Sequence, residues 1–215
     1  MKTNKKLLIL MALMTPLVFS LCKKEPEGVP SITLAATFDD SPYTLSIGSF
    51  PEPDFGDNPL TIEGVKLGRM LFYEKELSKD NSISCASCHL QEHAFTDPNT
   101  LSEGVDGTLG KRQAMTVFNT AWHTNEFFWD GRAHLLRDQS LKPIEDELEM
   151  KERLPNVIEK LSAREEYSHQ FIRAFGDSDI TPERMSLAME QFMNSIVSNQ
   201  SKYDQFLAGS VTLST

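Results

Sequence analysis

Apolar positions recur at helical spacing in five stretches of the chain, separated by polar segments rich in Gly, Pro, Asp and Ser. The first opens at Thr61, which stands where a helix N-cap belongs, and continues through Ile62, Val65, Leu67, Met70 and Leu71. Three short helices are expected at Leu135 to Lys142, at Pro155 to Ser162 with the proline in its first turn, and at Glu165 to Phe175, stopped by Gly176. The longest opens on Thr181-Pro182-Glu183. It carries an apolar stripe of Met185, Leu187, Ala188, Phe192, Ile196 and Val197 and ends near Asn199. No stretch alternates convincingly in the manner of a strand, so the fold class is mostly α.

The flanks of this pattern set the domain organisation. Lys2, Lys5 and Lys6 precede an apolar run from Leu7 to Leu21, and Cys22 follows. Residues 1–22 read as a secretory signal rather than a spanning helix. Cys22 before Lys23-Lys24-Glu25 also resembles the start of a bacterial lipoprotein, with the cysteine as lipidation candidate; the alternative is an ordinary cleaved signal that discards it. Either way the protein is expected to be exported, in the periplasm or lipid-anchored to the bacterial envelope, and to meet a membrane only through that anchor. Residues 23–58 are poor in helical period and rich in turn formers, with Pro51 and Pro53 among them, and read as an extended tether and irregular wrap. One domain is then expected over residues 59–208, with a tail at 209–215; a chain of 215 residues allows a real core but not two large lobes. The net charge of −10 argues against nucleic acid as a partner and suits solubility or the attraction of a basic electron donor.

The strongest chemical signal is Cys85-Ala86-Ser87-Cys88-His89. Two thiols at this spacing add to the two vinyl groups of one porphyrin, and the adjacent imidazole becomes the axial ligand of its iron. A zinc site would need further Cys or His at matching intervals, and the only other cysteine is Cys22. A thioredoxin-like motif would want strands and helices in alternation around it. One covalent haem c, attached through Cys85 and Cys88 with His89 on the iron, is therefore expected. The loop at residues 97–112, with Gly104, Gly107 and Gly110, suits the wall of a haem pocket.

Several further motifs stand in register with that site. Leu67-Gly68-Arg69-Met70-Leu71-Phe72-Tyr73 precedes it; Arg112, the Thr116-Val117-Phe118-Asn119 segment, Phe128-Trp129-Asp130-Gly131-Arg132-Ala133 and Ser201-Lys202-Tyr203-Asp204-Gln205-Phe206 follow. From about residue 43 to residue 208 the chain resembles the N-terminal domain of bacterial di-haem cytochrome c peroxidases and their MauG-like relatives. The resemblance implies a cytochrome c-like haem domain that reduces hydrogen peroxide to water with electrons from a cytochrome or a small copper protein. It implies Glu149 as the acid-base carboxylate, Gln139 as the pocket amide that orients peroxide, Trp129 as the electron-transfer aromatic between two haems, and Arg112 and Arg132 as haem-pocket support. Read by pattern alone, Glu149 would be one more member of the acidic run Glu145, Asp146, Glu147.

Departures from the family pattern shape the remaining expectations. Many members place a distal histidine where this chain has Val105-Asp106-Gly107, so the haem is expected to be five-coordinate or water-bound. His93, four residues after His89, falls on the same helical face if the helix continues, while His123, His134 and His169 remain candidate distal ligands. The family's second CxxCH lies beyond Thr215, so a truncation, a split half that partners a separate second-haem chain, and a single-haem relative are all open. An electron-transfer cytochrome closed by Met115 or Met150 is the alternative function, and a non-catalytic haem module is another. Calcium, held by the family between its domains, is doubtful because Gln113 follows Arg112.

Overall fold

The computed structural model describes residues 35–213; Cys22 and the signal reading lie outside them. Seven α-helices and no strand are formed among these residues, with four isolated β-bridges fastening loops. None of the helices is long and apolar enough to cross a membrane.

Two helices make the scaffold. Helix α1 (Ile62–Tyr73) begins where the Thr61 hydroxyl accepts from the Gly64 N–H at 3.0 Å. Its buried face comprises Gly64, Val65, Leu67, Gly68, Leu71 and Phe72, the i, i+3, i+4 set that the sequence pattern predicts. The long helix, α6 (Pro182–Ser195), is capped by Thr181 in the same way and buries Met185, Ala188, Met189, Phe192 and Met193. The two pack backbone to backbone because α1 presents glycine at the crossing. A Cβ on Gly68 would overlap the Ala188 carbonyl, and one on Gly64 would overlap the Gln191 amide oxygen. Leu67, Leu71 and Met185 are completely buried around this crossing, each worth about 1.5–3 kcal/mol in area removed from water.

The other helices lean on this pair. Helix α3 (Leu136–Glu145) packs on α6 and α5 (Glu165–Phe175) on α1, while α4 (Leu154–Ser162) packs on α5. Pro155 sits in the first turn of α4, and Gly176 ends α5 in the left-handed region at φ 93°, both as the sequence predicts. The core is otherwise apolar, but one polar network crosses it. Asn58 donates to Glu190 at 2.7 Å and accepts from Gln191 at 2.8 Å, and Arg137 of α3 meets the same Glu190 at 3.0 Å and Asp57 at 2.5 Å. This fastens the wrap, α3 and α6 to one another with every strong acceptor matched to a donor.

The described part of the wrap is irregular, as its composition predicts, and is held, besides that network, by scattered hydrogen bonds. Asp39 N–H donates to the Arg173 carbonyl, Tyr43 N–H to that of Leu60 and the Asn199 amide to that of Ser46. The indole of Trp122 donates to the Pro51 carbonyl at 2.8 Å.

Helix boundaries differ from the sequence expectation in two places: α3 runs on through Pro143 to Glu145 rather than ending at Lys142, and α6 is cut short. Helix α6 stops at Ser195 rather than near Asn199, although Ile196 and Val197 continue the apolar stripe. Asn119 is the reason: its N–H takes the Ile196 carbonyl at 2.8 Å, and its side chain bonds both the Ser198 carbonyl and the Ser198 N–H. A tertiary partner thus replaces the next helical turn. A further helix, α7 (Lys202–Leu207), follows behind a Ser201–Asp204 capping box.

Candidate haem site

Helix α2 is one turn long, Cys85–Cys88, and His89 is its C-cap, with φ −115° and its N–H on the Cys85 carbonyl at 3.0 Å. The helix therefore ends at the ligand. His93 lies in a separate 3-10 turn, Gln91–His93, exposed, and not on a continuation of α2. Beyond it Ala94 and Phe95 both adopt left-handed backbone, at φ 57° and 55°. That doubles the chain back so that the Phe95 carbonyl lies 3.0 Å from His89 Nδ1.

The chemistry of this contact is one-directional. A carbonyl only accepts, so Nδ1 carries the proton and Nε2 is left with its lone pair. Burial holds the imidazole's pKa below the ordinary histidine value, opposed by its hydrogen bonds to the Phe95 and Met115 backbone. A neutral imidazole, oriented through Nδ1 and unprotonated at Nε2, is what an iron centre requires. Nearby, burial pushes the Cys85 thiol up to about 12 and raises that of Cys88 as well. Reactive redox cysteines are shifted the other way. Among the described residues no group of three or more His, Cys, Asp or Glu converges as a metal site. The residue set fits haem, with Cys85 and Cys88 as tethers and His89 as axial ligand.

Next to Cys88 lies a cleft of about 440 Å³, walled by Ile83, Leu90 and Asp97 and by the Glu103–Gly107 loop. That loop packs against the turn that carries Glu149. Val105 N–H donates to the Glu149 carbonyl at 2.9 Å, and a Cβ on Gly104 would overlap the Leu148 carbonyl. Asp146 organises the turn itself, accepting from the Leu148, Glu149 and Lys151 N–H groups. Lys151 completes it with left-handed backbone at φ 53°.

Within the acidic run the structure separates Glu149 from Glu145 and Glu147. Glu145 and Glu147 are exposed, whereas Glu149 is half-buried. Its carboxyl is raised above the ordinary glutamate range, first by burial and then by Asp146, with Arg132 pulling the other way. Its charge also contributes to raising both Cys85 and Cys88, so carboxylate and thiols share one electrostatic environment. Gln139 is half-buried on α3, one turn before Pro143. Because proline has no N–H, the Gln139 carbonyl is released from the helical ladder at that point.

Trp129 sits at the tip of a turn closed by the Phe127–Ala133 bridge, with Phe128 and Gly131 both at positive φ. It is 63% exposed, and its indole donates to the Gln113 carbonyl at 3.0 Å. Asp130 receives Arg112 at 2.6 Å and Arg132 at 2.9 Å, and these two cations hold its carboxyl far below the usual range. The Arg132 guanidinium also lies 3.5 Å above the Phe128 ring. Both arginines therefore clasp the Trp129 turn.

The remaining candidate ligands are occupied otherwise. His134 is exposed and pairs with Glu126 at 2.8 Å, His169 lies one turn from Glu165 on α5, and His123 packs on Phe127. Met150 is buried in the hydrophobic core, and Met115 meets His89 through its backbone. Sequence reasoning missed Phe95, whose role is its carbonyl, and Lys160. The Lys160 ammonium is surrounded by the Glu76 and Ser78 carbonyls, Asn81 Oδ1 and Glu152 Oε2 at 2.6–3.1 Å, tying the segment that leads into α2 to α4 and to the end of the Glu149 turn. A lone lysine in an amphipathic helix gives no signal of such a cage.

A one-turn CxxCH helix with an oriented imidazole, set against crossed helices, has the fold of cytochrome c-like haem-binding domains. The chain belongs to the di-haem cytochrome c peroxidase family, whose sequence profile matches residues 62–212. It is 36% identical over 152 residues to the methylamine utilization protein MauG of Methylophilus methylotrophus, covering 71% of this chain and 45% of that one. It is 32% identical over 179 residues to the cytochrome c551 peroxidase of Nitrosomonas europaea, covering 83% and 53%. The crystal structure of a MauG-like protein associated with microbial copper homeostasis superposes with a TM-score of 0.72 at 31% identity, over 80% of this chain and 52% of that one. The chain thus spans about half the length of these relatives.

Proposed function

We propose that this domain reduces hydrogen peroxide to water at a haem c carried covalently by Cys85 and Cys88 and ligated by His89. When bound, the haem supplies an iron at which peroxide is held and electrons are delivered. Glu149 accepts the proton of the near peroxide oxygen and returns it to the far one, and Gln139 orients the peroxide by hydrogen bonding. Burial keeps His89 neutral, and the Phe95 carbonyl, through Nδ1, fixes its tautomer and aim. Arg112 and Arg132 hold the turn that presents Trp129 for electron entry, and the donor is a cytochrome or small copper protein, with a second haem-bearing segment or chain as intermediary. Export, to the periplasm or to a lipid anchor, follows from the signal reading and suits covalent haem chemistry.

The observation that carries this reading is the separation of Glu149 from the other glutamates of its acidic run: a half-buried carboxyl of raised pKa that shares an electrostatic environment with Cys85 and Cys88, where Glu145 and Glu147 face water. The test is haem-loaded protein, titrated optically with peroxide and then supplied with reduced cytochrome. A spectral change that the donor reverses, weakened in Glu149→Gln, supports the assignment. A ferric haem that ignores peroxide, or equal turnover in the variant, would overturn it.

A further inference from the structure

His89 does not stand alone among aromatic rings. The Phe72 ring lies 6.2 Å from the imidazole, centroid to centroid, and Tyr73 lies 5.5 Å beyond Phe72. Phe192 of α6 closes the cluster at 5.2 Å from Phe72 and 6.4 Å from Tyr73. Phe72 is buried, at 1% exposure, whereas Tyr73 is 42% exposed. A continuous series of rings therefore leads from the axial imidazole through the core to a phenol in water. The spacings are those of ordinary aromatic packing, so no solvent interrupts the path.

Among the tyrosines of the chain only Tyr73 has this connection. Tyr167 is buried and its hydroxyl is committed to Glu74 at 2.6 Å. Among the described residues Tyr203 pairs only with Phe206, and Tyr43 packs on no other ring. Tyr73 carries the Arg69 guanidinium 5.9 Å above its ring, a cation that disfavours a positively charged ring and favours release of the phenolic proton on oxidation. Phe72 and Tyr73 follow one another at the end of α1, where the first points to the core and the second to solvent.

We infer that Tyr73 is a surface site of one-electron oxidation, fed from the haem through His89 and Phe72, at which small phenolic reductants are oxidised. This rests on the peroxidase reading for its oxidant. Hydrogen peroxide takes two electrons and two protons to become two waters; Tyr73 supplies both electrons in two successive one-electron turns, its phenolic proton passing to solvent in each, so that two phenols are consumed per peroxide. The tyrosyl radical regains one electron and one proton from a phenol meeting the exposed ring, which leaves as a phenoxyl radical. The route is separate from the Trp129 turn and needs no movement of it.

The experiment is to treat haem-loaded protein with peroxide in the presence of a nitroso spin trap, follow the haem optically, and map the adduct by peptide mass spectrometry in the native chain and in Tyr73→Phe. Adduct on Tyr73, lost in the variant together with guaiacol oxidation while the optical response to peroxide and oxidation of reduced cytochrome persist, is the expected result. Adduct confined to Tyr43, Tyr203 or Trp129, or guaiacol oxidation unchanged in Tyr73→Phe, would overturn the inference while leaving the peroxidase reading intact. A haem that does not respond to peroxide at all would remove that reading, and this inference with it.

Discussion

The α1–α6 crossing and the haem-site loops follow opposite rules. At the crossing the backbone is regular, the side chains are mostly apolar and the close approach is made by Gly64 and Gly68. Around the haem site the backbone is irregular, and every non-glycine residue with left-handed backbone among the described residues lies between Asn81 and Lys151. Each such residue costs on the order of 1 kcal/mol, offset here by loop hydrogen bonds and by packing on the scaffold. Stability is thus concentrated in one region and spent, as strain, in the other, which is the arrangement expected where a rigid frame positions a reactive centre.

Breaking the site should leave the frame standing. Glu149→Gln is expected to lower peroxide turnover by about 10²–10⁴-fold, the usual scale of general acid-base assistance, with little change in the denaturation midpoint; stopped-flow kinetics and urea titration of the same preparation check both halves. Breaking the frame should do the reverse. Gly68→Ala drives a methyl into the Ala188 carbonyl and is expected to destabilise the fold by about 3 kcal/mol, read by denaturant unfolding of the haem-loaded protein.

Between these extremes lies Gly104→Ala, which pushes on the Leu148 carbonyl and so on the Glu149 turn. It is expected to cost about 1–2 kcal/mol of stability and to lower kcat at unchanged haem content, sharpening the claim that the loop places the carboxylate. The smallest effect is in pH. The folded-state pKa of Glu149 is raised, so its contribution to stability is present below the unfolded-state value and is lost as pH rises through the folded one. The base proposed for Glu149 must be ionised, so the acid limb of kcat/KM should lie above the ordinary glutamate range and vanish in Glu149→Gln; a pH profile of both proteins tests this.

Legibility in the sequence followed the same division. Helices α1, α4, α5 and α6 were readable because each has an apolar period and a stop or start signal: Thr61, Pro155, Gly176, Thr181. The end of α6 was not, since Asn119, far away in the chain, takes over the Ile196 and Ser198 backbone. Helix α7 carried a readable signal in its Ser201–Asp204 capping box. The Cys85–His89 motif was visible by spacing alone. Phe95 was not, because its contribution is a carbonyl placed by two left-handed residues, and side-chain identity says little about that. Resemblance to the family singled out Glu149, and local pattern would have assigned it to solvent; only tertiary packing by Gly104 and Val105 distinguishes it from Glu147.

The clasp on Asp130 has one more consequence. Arg112, Arg132 and Asp130 are all open to water, so their attraction is attenuated over a screening length of about 8 Å at physiological ionic strength and less in concentrated buffer. The indole they present is fixed besides by a single hydrogen bond to Gln113. Dissolved salt therefore sets how firmly Trp129 is held, and the surface around that indole is better ordered in dilute buffer than in concentrated buffer.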